Sequence, residues 1–196
     1  MQFPYAPVMR RHKSVFIHIP RTGGTSIWAS LGATPYWRQH EPWHTYAAAN
    51  PRRFKDYWKF AIVRDPVDRA YSAYKYLEGG GNKKSDIPAA TRVRAYRGFD
   101  EFLREGLLNG GFGSSWLFLP QTFFIFDQDD NLRVDYIGRF EDMNATYEEV
   151  YSRLKCRSEK QMTLNVRRKE GYEPVSAESK DVLRMIYSRD YRLLGY

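Results

Sequence analysis

Arg21, Thr22, Gly23, Gly24, Thr25 and Ser26 form one unbroken run that carries what an oxyanion asks of a protein. Arg21 supplies a fixed positive charge, and Thr22, Thr25 and Ser26 supply hydroxyl donors. Gly23 and Gly24 have no Cβ, so the backbone can approach an anion closely. The run follows the apolar, β-branched residues SVFIHI (14–19) and precedes a helix-compatible segment. That order reads as buried strand, tight loop and helix N-terminus, a geometry that holds phosphate-like groups. An ordinary strand-to-helix turn with a capping Thr or Ser would use the same residues. The run is not a Walker A loop, because the glycine spacing differs and no Gly-Lys-Ser/Thr follows.

A second constellation, FAIVRDPVDRAYSAY (60–74), repeats the design. An apolar strand ends in Arg64, whose planar donor fork suits a phosphate. A charge that closes an apolar strand needs a partner. Asp65 and Pro66 suit the N-cap and first position of a helix, and Ser72, two turns in, can lend a hydroxyl to the same anion. Asp65 and Arg69, four apart, read as a helical ion pair. Two such sites on one sheet suggest a ligand with two separated anionic groups.

The elements that must position these residues alternate. Strands are expected at 14–19 and 58–63, with helices at about 24–31 and from 66 to about 77. A weak helix is expected near 45–55. The Gly-, Lys- and Arg-rich residues 79–98 read as a mobile insertion or lid, in which Lys83, Lys84, Arg92, Arg94 and Arg97 are placed to receive an anionic acceptor. A short helix near 99–107 follows, then strands at 122–126 and 133–138 around a turn at 127–131. Helices near 144–155 and 176–194 complete the chain. Wholly apolar strands alternating with helices predict an α/β fold, three-layer α/β/α with a central parallel sheet. Ligands of such sheets bind beyond the carboxyl ends of the strands, where both motif loops fall.

The 196 residues predict one domain, 1–196, large enough for its own core. A single cysteine, Cys156, excludes an intrachain disulfide. Residues 1–13 carry no apolar run suited to a signal peptide, and no stretch approaches the roughly 20 apolar residues of a membrane span. A soluble, cytoplasmic protein is expected. The +8 net charge implies anionic partners without saying which. No His/Cys/Asp/Glu cluster has metal-site spacing, so no metal is expected.

IPRTGGTS resembles the 5′-phosphosulfate loop of sulfotransferases, and VRDPVDRAYSAY resembles their 3′-phosphate motif. The resemblance is to the carbohydrate-type enzymes, sulfotransferase family 2-like. It extends through WHTYAA, VDYIGRFEDM (134–143) and YSRDYRLLGY (187–196), nearly the whole chain. It implies a P-loop NTPase-like fold and use of 3′-phosphoadenosine-5′-phosphosulfate (PAPS), whose product is the 3′,5′-bisphosphate PAP. The implied acceptor is a hydroxyl-bearing molecule, anionic or carbohydrate. On this resemblance the loop 21–26 grips the 5′-phosphosulfate, with Arg21 stabilising the leaving oxygen. Arg64 and Ser72 hold the 3′-phosphate, with Arg167, Arg168 and Lys169 as a further basic loop resembling an Arg-Lys-Gly element. His44 is the candidate base for the acceptor hydroxyl, with His40 and Glu41 in reserve. His18 reads as a satisfied core residue and His12 as surface. Where the family usually has Lys, this chain has Arg21, which keeps the charge but has no compact ammonium to donate a proton. Two rival readings are a P-loop nucleotide kinase, which would require Mg²⁺ and ATP, and a nucleic-acid-binding domain resting on charge and aromatics alone. No nucleic-acid-binding signature supports the latter.

Overall fold

A computed structural model of the chain describes residues 3–32, 39–155 and 175–196. It divides into two compact units, Met1–Arg64 with Gln121–Leu164, and Asp65–Pro120 with Asn165–Tyr196. The first unit begins with helix α1 (Pro7–His12), strand β1 (Ser14–Ile17), helices α2 (Gly24–Ser30), α3 (Trp43–Ala49) and α4 (Pro51–Asp56), and strand β2 (Trp58–Val63). The second unit follows with α5 (Pro66–Glu78), α6 (Ile87–Val93) and α7 (Phe99–Glu101). The chain then returns to the first unit for α8 (Gln121–Ile125), β3 (Tyr136–Arg139) and α9 (Met143–Leu154), and closes in the second with α10 (Ala177–Ile186) and α11 (Ser188–Leu194).

Among the described residues the sheet has three strands in the order β1-β2-β3, all parallel. Ser14 pairs with Trp58 and Ile17 with Ala61; Phe60 pairs with Tyr136 and Val63 with Arg139. Parallel strands survive only where both faces are covered, which explains why β1 and the last four residues of β2 are buried throughout. One face carries a row of stacked rings: Phe16 on Phe60 with centroids 4.8 Å apart, Phe60 on Trp58 at 4.8 Å, and Trp58 on Tyr136 at 6.1 Å. Gly138 lets α9 approach β3, since a Cβ there would stand 2.4 Å from Thr146 Cγ2.

Four expectations change in this unit. The first strand ends at Ile17 rather than residue 19, because Thr22 Oγ1 donates to the Ile19 carbonyl (2.9 Å) and folds residues 19–22 into a turn. The helix foreseen at 45–55 is two helices. Asn50 closes α3 and caps α4 by accepting from Arg53 N (2.9 Å), and Pro51 has no N–H to continue α3. Residues 122–126 are not a strand. They belong largely to helix α8, with Gln121, Thr122, Phe124 and Ile125 buried and Phe123 exposed. That is a helical burial pattern, not alternation. The turn at 127–131 forms around Asp127 Oδ1, which accepts from Asp129 N and Asn131 N, and the strand beyond it lies at 136–139.

In the second unit Asp65 caps α5 by accepting from Asp68 N (2.9 Å), with Pro66 in the first turn. Residues 79–98 are folded rather than an open loop. Asp86 gathers Tyr76 OH, Asn82 N and Lys83 N on one carboxylate oxygen, and α6 follows at once. Two of the basic residues expected to wait for an acceptor are engaged here, Arg94 with the Glu78 carbonyl (2.8 Å) and Arg92 over the Phe112 ring. The core of this unit is aromatic, built on Tyr74, Phe99, Phe102, Phe118 and Tyr187.

Candidate active site

The loop after β1 owes its shape to four residues. Thr22, fully buried, has its hydroxyl proton on Ile19 O, so its side chain holds the turn. Arg21 sits at φ +68°, a left-handed conformation that costs a non-glycine residue about 1–2 kcal/mol. Gly23 sits at φ +80°, where glycine alone is unstrained. Gly24 opens α2 against the ring of His18, and a Cβ there would lie 2.2 Å from His18 Cδ2. His18, buried just past β1, accepts from Trp28 Nε1 at its Nδ1 (3.2 Å) and stacks on Phe16, as a satisfied core residue does. Thr25 is exposed and Ser26 half-buried. The neighbour of Ser26 is the Tyr147 phenol, whose pKa burial pushes up.

Arg64 leaves β2 beside this loop. Its Nη1 reaches the Arg21 carbonyl at 3.5 Å, and its guanidinium lies over the Phe140 ring with Cζ 4.2 Å from the centroid. Phe140 is also what a Cβ at Gly23 would touch, at 3.0 Å. The peptide of Arg64 is held from the other side. Its N–H donates to Gln121 Oε1 (2.9 Å), and its carbonyl accepts from Gln121 Nε2 (2.7 Å). Sequence reading passed over both neighbours. Phe140 lies in GRFED without a chemical signature, and Gln121 stands just before the segment expected as strand, 122–126.

The histidines separate. His44 is exposed on α3, edge-on to Trp43 and to Phe123. His40 donates from Nδ1 to the His18 carbonyl (2.8 Å), its ring 4.3 Å from that of His18, so the structure brings His40 rather than His44 to the root of the first loop. His12 is half-buried. Ser72 lies half-buried on α5, within the second unit. Arg69, expected to pair with Asp65, is fully buried and donates instead to the carbonyls of Leu117 (3.1 Å) and Leu119 (2.7 Å). Arg167, Arg168 and Lys169 lie outside the described residues. Among the described residues no His/Cys/Asp/Glu group has metal-site geometry, and no helix is long and apolar enough to cross a membrane.

The model of the sulfotransferase family matches residues 6–196, running through both units. This chain belongs to that family. It is thereby a transferase of sulfuryl groups, and its α/β character, with a parallel sheet of three strands among the described residues, is consistent with the family fold. The match does not favour the kinase or nucleic-acid readings. No curated protein and no solved structure matches the chain.

Proposed function

We propose that this sulfotransferase uses PAPS as donor and sulfates a hydroxyl of a carbohydrate or anionic acceptor. One observation carries the reading. β1 and β2 are parallel neighbours, so the loop 21–26 and Arg64 leave the sheet at the same carboxyl end, and Arg64 Nη1 comes within 3.5 Å of the Arg21 carbonyl. The donor set fits an oxyanion. It offers two guanidinium groups and the Thr25 and Ser26 hydroxyls, and residues 14–26 contain no carboxylate. The bound donor would supply an activated sulfuryl group on a phosphate leaving group.

The chain's own residues would do the rest. Loop backbone and the hydroxyls of Thr25 and Ser26 hold the 5′ end, with Gly23 and Gly24 shaping the loop and Thr22 closing it. Arg21 neutralises charge developing at the leaving oxygen. Arg64 holds the 3′-phosphate. Ser72, Arg167 and Lys169 join it on the strength of the resemblance alone. His44 takes the proton of the acceptor hydroxyl, a task suited to an imidazole near neutral pH. As in phosphoryl transfer, most of the rate comes from alignment and charge neutralisation. The family match across both units supports a single 1–196 domain of P-loop-like, three-layer design.

Calorimetric titration with PAP, beside ATP and ADP without metal, tests the reading without knowing the acceptor. Stoichiometric binding selective for PAP is expected. A folded sample that ignores PAP overturns it.

A further inference from the structure

We infer that Gln121 is a positioning residue for 3′-phosphate recognition, holding Arg64 at the angle that recognition requires; this rests on the role proposed above for Arg64. In extended chain a residue's N–H and C=O point to the same side, so one primary amide can satisfy both. Gln121 does this at Arg64, through Oε1 at 2.9 Å and Nε2 at 2.7 Å. Arg64 is the first residue past the β2–β3 ladder, which ends at Val63 with Arg139. The amide therefore substitutes for one rung of sheet where no strand remains.

Gln121 is itself fully buried, and α8 gives it a fixed backbone. Buried amides are kept only when their polar atoms are bonded. This one fixes the peptide from which the Arg64 side chain departs. Phe140 completes the cradle by supporting the face of the guanidinium. A ring beneath the face leaves the in-plane donor directions for an anion. Neither residue needs to touch the ligand. A shallow, basic and aromatic groove at the opposite end of the sheet, around Lys13, Trp58 and Arg153, also bears Asp56, Asp135 and Glu149. Its mixed charge selects no ligand class.

The test compares PAP with 5′-AMP, which shares the adenosine 5′-phosphate but lacks the 3′-phosphate, by calorimetry on wild type, Gln121→Met, Arg64→Ala and the double variant. Wild type should prefer PAP. Gln121→Met should lower PAP affinity by about tenfold and leave 5′-AMP affinity within about twofold. Added to Arg64→Ala, it should lower PAP affinity no further. A merely structural role would weaken both nucleotides together, or act additively with Arg64→Ala, and either result overturns the inference. So does a discriminating wild type whose preference survives Gln121→Met. A wild type that binds both nucleotides equally overturns the role of Arg64 itself, and the inference with it. If Gln121→Met does not fold, Gln121→Asn is read the same way, since it keeps an uncharged amide but draws it back by one methylene from the Arg64 peptide.

Discussion

A methyl group at position 24 would stand 2.2 Å from His18 Cδ2, 2.5 Å from His18 Nε2 and 2.9 Å from Phe16 Cζ. Both rings are buried and mutually stacked, so neither can retreat cheaply. Gly24→Ala should cost about 3 kcal/mol of stability by overpacking, read as a shift in denaturant midpoint. A shift of a few tenths would mean that the His18 ring moves. Gly23 is a left-handed residue, φ +80°, in the tight loop that the sequence suggests. The need for Gly24 is invisible in sequence because it comes from a side chain six residues earlier. His44 poses the opposite problem, since its role comes from resemblance while its visible contacts are Trp43 and Phe123. His44→Ala should reduce turnover by about a hundredfold or more, with PAP affinity nearly unchanged. Retained turnover would move the base role elsewhere. His40 is then the first group to test, because donation from Nδ1 to the His18 carbonyl leaves Nε2 as the acceptor nitrogen.

At the scale of elements, the two strand-to-helix units around the motifs were legible because strand, breaker and cap signals agree there. Asp65-Pro66 begins α5 as its chemistry requires. The run TFFIF failed because a short apolar stretch has no period long enough to separate a buried strand from a buried helix. The place beside β2 is filled by Tyr136–Arg139, and residues 121–125 coil so that Gln121 can reach Arg64. The packing of α11 onto its unit offers a pH test. Tyr187 is fully buried and donates to the Phe118 carbonyl (2.8 Å). Burial pushes its phenol up to about 12, against the opposing pull of the Arg69 charge. A folded value above the unfolded one, about 10, means that this stability is complete below pH 10 and is lost as pH climbs toward 12. Tyr187→Phe should be less stable than wild type by about 1 kcal/mol at pH 8. That deficit should shrink or reverse by pH 11, because the variant has no phenol to ionise. A deficit constant from pH 8 to pH 11 would show that the phenol does not govern alkaline stability.

For the molecule as a whole, the +8 net charge bears on the acceptor, which neither fold nor donor motifs encode. A cation surplus attracts a polyanionic chain from beyond contact distance and does little for a neutral one. That attraction is screened over about 10 Å at 0.1 M salt and about 3 Å at 1 M. At saturating donor, kcat/KM for a uronate-bearing oligosaccharide should therefore fall by about tenfold between 50 and 500 mM NaCl. For a neutral oligosaccharide of the same length it should change by less than about twofold. Saturating the donor is essential, because the proposed contacts to its phosphates are themselves charge-assisted and would otherwise mimic the effect. Equal salt sensitivity for both acceptors would mean that the surplus serves the donor site alone. In that event the lysines and arginines of residues 79–98, two of them already engaged within their own unit, have no part in choosing the acceptor.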